Sequence, residues 1–186
     1  MRRSVPLLRS DYFHDPESQQ GHTYGLSLWL PYHGSGLGAT GPYFFRSCIF
    51  PASRVGWDTR KADMDYALLR RMIAEFKRVE PYLLSDYYPL TPYDLDKKSW
   101  MACQLDDPER GGGAIQVFRR AECAGGSITI RLRGLDPEST YSLESPDGRP
   151  TQSVPGDVLL REGLRITIDG RPGSALLVYQ RVNRAK

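Results

Sequence analysis

Ile128, Ile130 and Leu132 alternate with Thr129, Arg131 and Arg133, and Leu164, Ile166 and Ile168 alternate with Arg165, Thr167 and Asp169. Side chains of an extended chain point to opposite faces with a period of two, so each run predicts an antiparallel strand with one apolar and one wetted face. Strand-like segments at 100–105, 114–119, 140–144 and 175–181 are also short and bounded by Gly, Pro or Asp. Pro146-Asp147-Gly148 and Asp169-Gly170 read as tight turns of the hairpin kind. Six or seven such strands predict a β-sandwich, and no helix is expected after about residue 85.

The first half reads differently. Residues 5–8 form an uninterrupted apolar run that ends in Arg9-Ser10-Asp11, which suits a strand buried on both faces of a parallel sheet. Asp15-Pro16-Glu17 is a helix start, with Asp15 as cap and Pro16 in the first helical position. The helix is expected to run from Glu17 to about Leu30, where Pro31 stops it. Residues 33–38 read as loop. Residues 43–50, rich in Tyr, Phe and Ile and closed by Pro51, read as a second buried strand. Leu69, Met72, Ile73, Phe76 and Val79 recur at helical spacing after a cap at Asp63 or Asp65, and Pro81 limits that helix. The order is strand, helix, strand, helix.

Of the 186 residues, 40% are apolar and 25% charged, the profile of a globular chain that can bury a core. The net charge of +3 is small, and Lys and Arg are interspersed with Asp and Glu, so no nucleic-acid partner is suggested. No stretch reaches membrane-spanning length and the amino-terminal apolar run is too short for a signal peptide, so no membrane partner is expected; the compartment is unknown. Cys48, Cys103 and Cys123 are too widely spaced for a disulfide framework and read as buried thiols. His14, His22 and His33 lack carboxylate neighbours at ligand spacing, so neither metal nor cofactor is expected. Gly111-Gly112-Gly113 is a turn between two β segments; it lacks the Lys-Ser/Thr and the helix of a phosphate loop.

Several segments, taken in order, resemble the late portion of the α-galactosidases of glycoside hydrolase family 36. They are Leu7-Leu8-Arg9-Ser10-Asp11-Tyr12, Gln19-Gln20-Gly21-His22-Thr23-Tyr24-Gly25 and Leu28-Trp29-Leu30-Pro31-Tyr32, followed by Ile49-Phe50-Pro51-Ala52-Ser53 and Asp86-Tyr87-Tyr88-Pro89-Leu90-Thr91-Pro92. Val117-Phe118-Arg119-Arg120 and Leu132-Arg133-Gly134-Leu135-Asp136-Pro137, leading to Tyr141, continue the series. The resemblance covers nearly the whole chain. It implies an α+β chain in which residues 1–85 are the last two strand–helix units of a (β/α)8 barrel and residues 86–186 an antiparallel β-sandwich.

The resemblance also implies retaining hydrolysis of an α-galactoside-like carbohydrate by two carboxylates. Asp11 matches the Ser-Asp at the end of a late barrel strand and is the candidate acid/base. Tyr12 replaces the acidic or amide residue common after that Asp, which leaves the donor preference open. Arg9, Gln20 and His22 are candidates to line the sugar subsite, since hydroxyl recognition uses planar amides and charged donors. No nucleophile is assignable, because the family's lies on a middle barrel strand. Two strand–helix units cannot close a barrel. The expectation is therefore an enzyme fragment, inactive alone, whose catalytic partner region lies upstream. Each candidate also has a plainer structural reading: Asp11 as a loop carboxylate, the others as satisfied polar groups at a strand–helix junction. Trp29, Trp57, Trp100 and the run Tyr82, Tyr87, Tyr88 and Tyr93 read as apolar filler more readily than as a sugar-stacking platform. The alternative for the whole chain is a non-catalytic carbohydrate-binding or structural β-sandwich module, for which exposed, coplanar Tyr87, Tyr93 and Trp100 would speak.

Overall fold

The computed structural model describes residues 6–9, 15–37, 41–56, 58 and 60–182. The chain divides into two compact units, one of Met1–Leu84 with Tyr93–Leu95, the other of Ser85–Pro92 with Asp96–Lys186.

The first unit begins with β1 (Leu7–Leu8) and α1 (Pro16–Leu26), the latter capped by Asp15 with Pro16 in its first turn as the sequence predicts. α1 has no apolar stripe; it buries Gln19, Gln20 and Thr23. Residues 33–37, expected to be loop, instead form β2 (His33–Gly34) and β3 (Gly36–Leu37). Gly34 is what permits this: a Cβ there would meet the backbone carbon of Ala52 at 2.4 Å. Glycine inside a strand marks such close backbone approach, and loop-like composition conceals it.

Residues 43–50 correct the sequence reading in the opposite sense. They contain α2 (Pro42–Ser47), not a strand, and the strand falls later at β4 (Arg54–Val55). Pro42 opens the helix, and Gly41 precedes it at φ 123°, a conformation that favours glycine. Phe45, Arg46 and Ser47 are buried in succession, and Arg46 pairs with Glu75 of α3 (Tyr66–Val79). Tertiary burial thus overrides the weak strand preference of aromatic residues. α3 is capped by Asp65, whose carboxylate accepts from the Leu68 amide at 2.9 Å, and continues into a 3-10 turn (Glu80–Tyr82). β1 pairs with β2 and β3 with β4, both in parallel, so helical connections α1 and α2 join successive parallel strands.

The second unit holds β5 (Asp86–Pro89), β6 (Trp100–Asp107), β7 (Gly112–Arg119), β8 (Ser127–Ile130), β9 (Thr140–Glu144), β10 (Gln152–Pro155), α4 (Gly156–Arg161), β11 (Leu164–Thr167) and β12 (Gly173–Arg181). Six strands form one antiparallel sheet in the order β10-β9-β12-β7-β6-β5, and β8 with β11 form a separate antiparallel ribbon. The ribbon lays Ile130, Leu164 and Ile166 against Ala102, Ile115, Val117, Ala175 and Leu177 of the sheet, which is where the period-two runs put their apolar faces. The layers are unequal, and Leu159 of α4 plugs the core beside the ribbon. α4 corrects the expectation of an all-β second half. Its six residues sit between Pro155 and Gly163, too short a stretch to show helical periodicity.

Two substitutions test this packing. Glu75→Ala leaves Arg46 buried without its carboxylate and is expected to lower unfolding free energy by about 3–5 kcal/mol in urea titrations. Gly113→Ala puts a Cβ 2.1 Å from the Leu105 carbonyl oxygen, within backbone that cannot yield; about 1–3 kcal/mol of destabilisation is expected in the same assay.

Candidate functional site

Arg9 directly follows β1 and is a buried cation, only 9% exposed. Charge is tolerated in such a place only when hydrogen bonds replace the lost water. Here three elements supply them. Nε donates to Gln19 Oε1 (3.2 Å) and Nη1 to Thr23 Oγ1 (2.7 Å), both on α1. Nη1 also lies 3.3 Å from His33 Nδ1 on β2, and Nη2 donates to the Ser47 carbonyl at the end of α2 (3.3 Å). The guanidinium stands 5.4 Å from the centroid of the Phe50 ring, within cation–π range.

The surrounding polar groups are similarly engaged. Ser35 Oγ donates to Gln19 Oε1 (2.7 Å), and Gln20 Nε2 donates to Ser47 Oγ (3.0 Å), whose own proton goes to the Tyr43 carbonyl (2.9 Å). His33 is stacked on Phe50 with ring centroids 4.1 Å apart, and its Nε2 lies 3.2 Å from Ser27 Oγ. Burial, reinforced by the Arg9 and then the His22 charge, pushes the His33 ring down to about 3, so it is neutral at neutral pH. His22 is half-buried; burial, then Arg9, lowers it too, and its Nδ1 is buried with no hydrogen-bond partner among the described residues.

Of the residues singled out in the sequence, Arg9 and Gln20 therefore come together in one network, with His22 within electrostatic reach of Arg9. Asp11 lies outside the described residues, as do His14 and Trp57. The sequence reading missed Gln19, Thr23, His33, Ser35 and Ser47. Its available signal was Gln19, Gln20 and Thr23 at helical spacing in a helix without an apolar stripe. Trp100 packs against the core of the second unit and Tyr87 is half-buried, while Tyr93 is 57% exposed, so Tyr87 and Trp100 do not present open faces.

The second unit has its own polar network. Tyr179 Oη donates to Asp106 Oδ1 and accepts from Gln104 Nε2 (2.8 Å). Gln104 also binds the backbone of Arg133 twice, accepting from its amide (2.9 Å) and donating to its carbonyl (2.8 Å). Burial raises the Asp106 carboxyl and outweighs the Tyr179 hydrogen bond. Cys48, Cys103 and Cys123 are buried free thiols, and burial pushes Cys103 up to about 12. Among the described residues, no group of three or more His, Cys, Asp and Glu side chains is placed to hold a metal ion, and no helix is long and apolar enough to cross a membrane.

An α+β chain with a large antiparallel sheet, preceded by parallel strand pairs with helical connections, has the fold of part of the α-galactosidases. The family 36 α-galactosidase AgaA from Geobacillus stearothermophilus superposes with a TM-score of 0.74 at 20% identity, over 90% of this chain and 25% of its own. The α-galactosidase from Lactobacillus brevis gives 0.74 at 14% identity over 92% and 26%. The galactosidase domain of an α-galactosidase–sucrose kinase gives 0.71 at 20% identity over 90% and 25%. The chain thus spans about a quarter of the length of these structures, consistent with a carboxy-terminal portion. At these identities the likeness is one of fold. AgaA variants have been crystallised with raffinose and with stachyose. No family model matches the sequence, and no curated protein matches it.

His33 gives the first unit a signed pH response. The unfolded chain protonates His33 near 6.5, whereas the folded ring resists protonation down to about 3. The unfolded state binds the extra proton in between, so stability is full above about 6.5 and falls as pH drops toward 3. Thermal denaturation across that window is expected to show the decline, and His33→Gln, which cannot be protonated there, to flatten it.

Proposed function

We propose that this chain is the carboxy-terminal part of a retaining α-galactosidase-like glycoside hydrolase, contributing the last strand–helix units of its barrel and the attached β domain. The observation that carries the reading is the fold shared over 90% of the chain with a quarter of each α-galactosidase. Parallel β1–β2 and β3–β4, with α1 and α2 between successive strands, support it, since barrels place their chemistry on loops beyond the carboxyl ends of such strands.

In this reading Asp11, two residues beyond Arg9, protonates the leaving glycosidic oxygen. It then takes a proton from the water that cleaves the glycosyl–enzyme bond. The nucleophile comes from a strand outside this chain, about 5–5.5 Å from Asp11, the separation that retention requires. Arg9 and Gln20, sealed among protein partners, act as positioning residues that fix the strand end from which Asp11 departs. His22, the least buried of the three and held neutral, offers a ring nitrogen to a sugar hydroxyl. An α-galactoside is the proposed substrate, as raffinose is a ligand of AgaA. The chain by itself hydrolyses nothing, because one of the two carboxylates and most of the pocket are contributed from elsewhere.

The isolated chain is expected to release no p-nitrophenol from p-nitrophenyl α-galactoside. In a polypeptide that joins it to the preceding barrel, Asp11→Asn is expected to lower kcat/KM on raffinose by about 10²–10⁴-fold, the usual worth of general acid–base catalysis. Full turnover by that variant would remove Asp11 from the mechanism, and turnover by the isolated chain would refute the fragment reading.

A further inference from the structure

The outer face of the β8–β11 ribbon has no role in the hydrolase reading, yet it borders a cavity of about 420 Å³ lined by Leu90, Thr129, Arg131, Arg133 and Glu162. That volume is within the roughly 300–1,000 Å³ of small-molecule sites. All five residues belong to the second unit. Just beyond β8, exposed Arg131 and Arg133 flank buried Leu132, and both line the same cavity. Two guanidiniums on the lining of one cavity can flank one ligand. Neither guanidinium, nor the Glu162 carboxylate, has a hydrogen-bond or ion-pair partner among the described residues.

Unpaired surface arginines are ordinarily mobile. The backbone carrying these two is not. Gln104, fully buried, clamps both the amide and the carbonyl of Arg133, and the Leu132 amide donates to the Leu159 carbonyl at 3.1 Å. Gln104 is itself fixed by Tyr179, so the buried network of the sheet underlies the arginine pair. Anchoring of this kind lowers the ordering cost of binding.

The set of groups selects a ligand class. A bare phosphate would use only the cations and would be repelled by Glu162. A neutral sugar would leave the excess positive charge unmatched. A sugar acid satisfies every group: its carboxylate takes a guanidinium fork, its hydroxyls donate to Glu162 and bond Thr129, and its C–H face rests on Leu90. We propose that this cavity binds a uronate-bearing oligosaccharide, held between the unpaired Arg131 and Arg133 guanidiniums and Glu162. The proposal does not rest on the hydrolase reading.

Isothermal titration of the full chain with digalacturonate, galactobiose and inorganic phosphate tests it. Digalacturonate is expected to bind saturably at one site, more weakly as salt is raised. Galactobiose and phosphate are expected to bind at least about ten-fold more weakly, the worth of one charge-assisted pair. Arg131→Gln and Arg133→Gln are each expected to weaken digalacturonate by about ten-fold. Arg161→Gln removes the same charge from an arginine paired with Asp157 outside the cavity lining, and is expected to leave affinity within about two-fold. Arg133→Lys keeps the charge but loses the fork, so an intermediate affinity is expected. Absence of saturable binding, equal affinity for galactobiose or phosphate, or an equal loss in the Arg161 variant would overturn the proposal. Unchanged melting temperatures of the exposed-residue variants confirm that folding is not what was measured.

Discussion

A single buried guanidinium organises the first unit. Arg9 leaves β1 carrying a charge that water no longer solvates, and a charge so placed has to collect hydrogen bonds from whatever surrounds it. It collects them from two residues of α1, from His33 on β2 and from the end of α2. This explains why α1 buries amides and a hydroxyl where most surface helices bury leucines. The helix is held by the polar demand of the strand beside it. His33 stays neutral beside Arg9 chiefly because it is buried, and the Arg9 charge adds to that effect.

The second unit solves its packing by area rather than by polar demand. Central strand β7 is buried along its whole length and paired on both sides over eight residues, with β6 and with β12. The ribbon and α4 close the apolar core over one face of that sheet. Inside this apolar arrangement, Gln104, Asp106 and Tyr179 form a polar inclusion. Such networks cost stability unless each member is satisfied, and here the raised Asp106 carboxyl records that cost. Through Gln104 the inclusion holds the backbone of Arg133, while the Leu159 carbonyl of α4 holds that of Leu132.

The sequence was read well where the signal is local. Asp15-Pro16 marked the start of α1, the Asp63/Asp65 pair the start of α3, and the alternation of Ile128, Ile130 and Leu132 the buried face of the ribbon. It was read poorly where the decisive partner is distant in the chain. Residues 43–50 have strand-like composition, but the pairing of Arg46 with Glu75, 29 residues away, belongs to a helix. Residues 33–37 have loop-like composition, but Ala52 approaches Gly34 so closely that only glycine serves. Of the candidate site, the sequence offers Arg9, Gln20 and His22 as sugar-subsite candidates, and the structure gathers Arg9 and Gln20 into one buried network. The roles of Gln19, Thr23 and His33 became visible only with the network assembled.

What the sequence by itself determined is the change of character near residue 85, from strand–helix alternation to antiparallel sheet, because periodicity and capping are properties of neighbouring residues. Its ordered motifs also carried the resemblance to the α-galactosidases, with which the fold agrees. What only the tertiary structure decided is which polar residues are used up internally and which remain available. Arg9 and Arg133 are indistinguishable as letters just beyond a strand. One is enclosed by three elements and spent on holding them together; the other has its backbone clamped and its charge left open. That difference arises from burial and from partners brought in across tens of residues, and neither is encoded in local pattern.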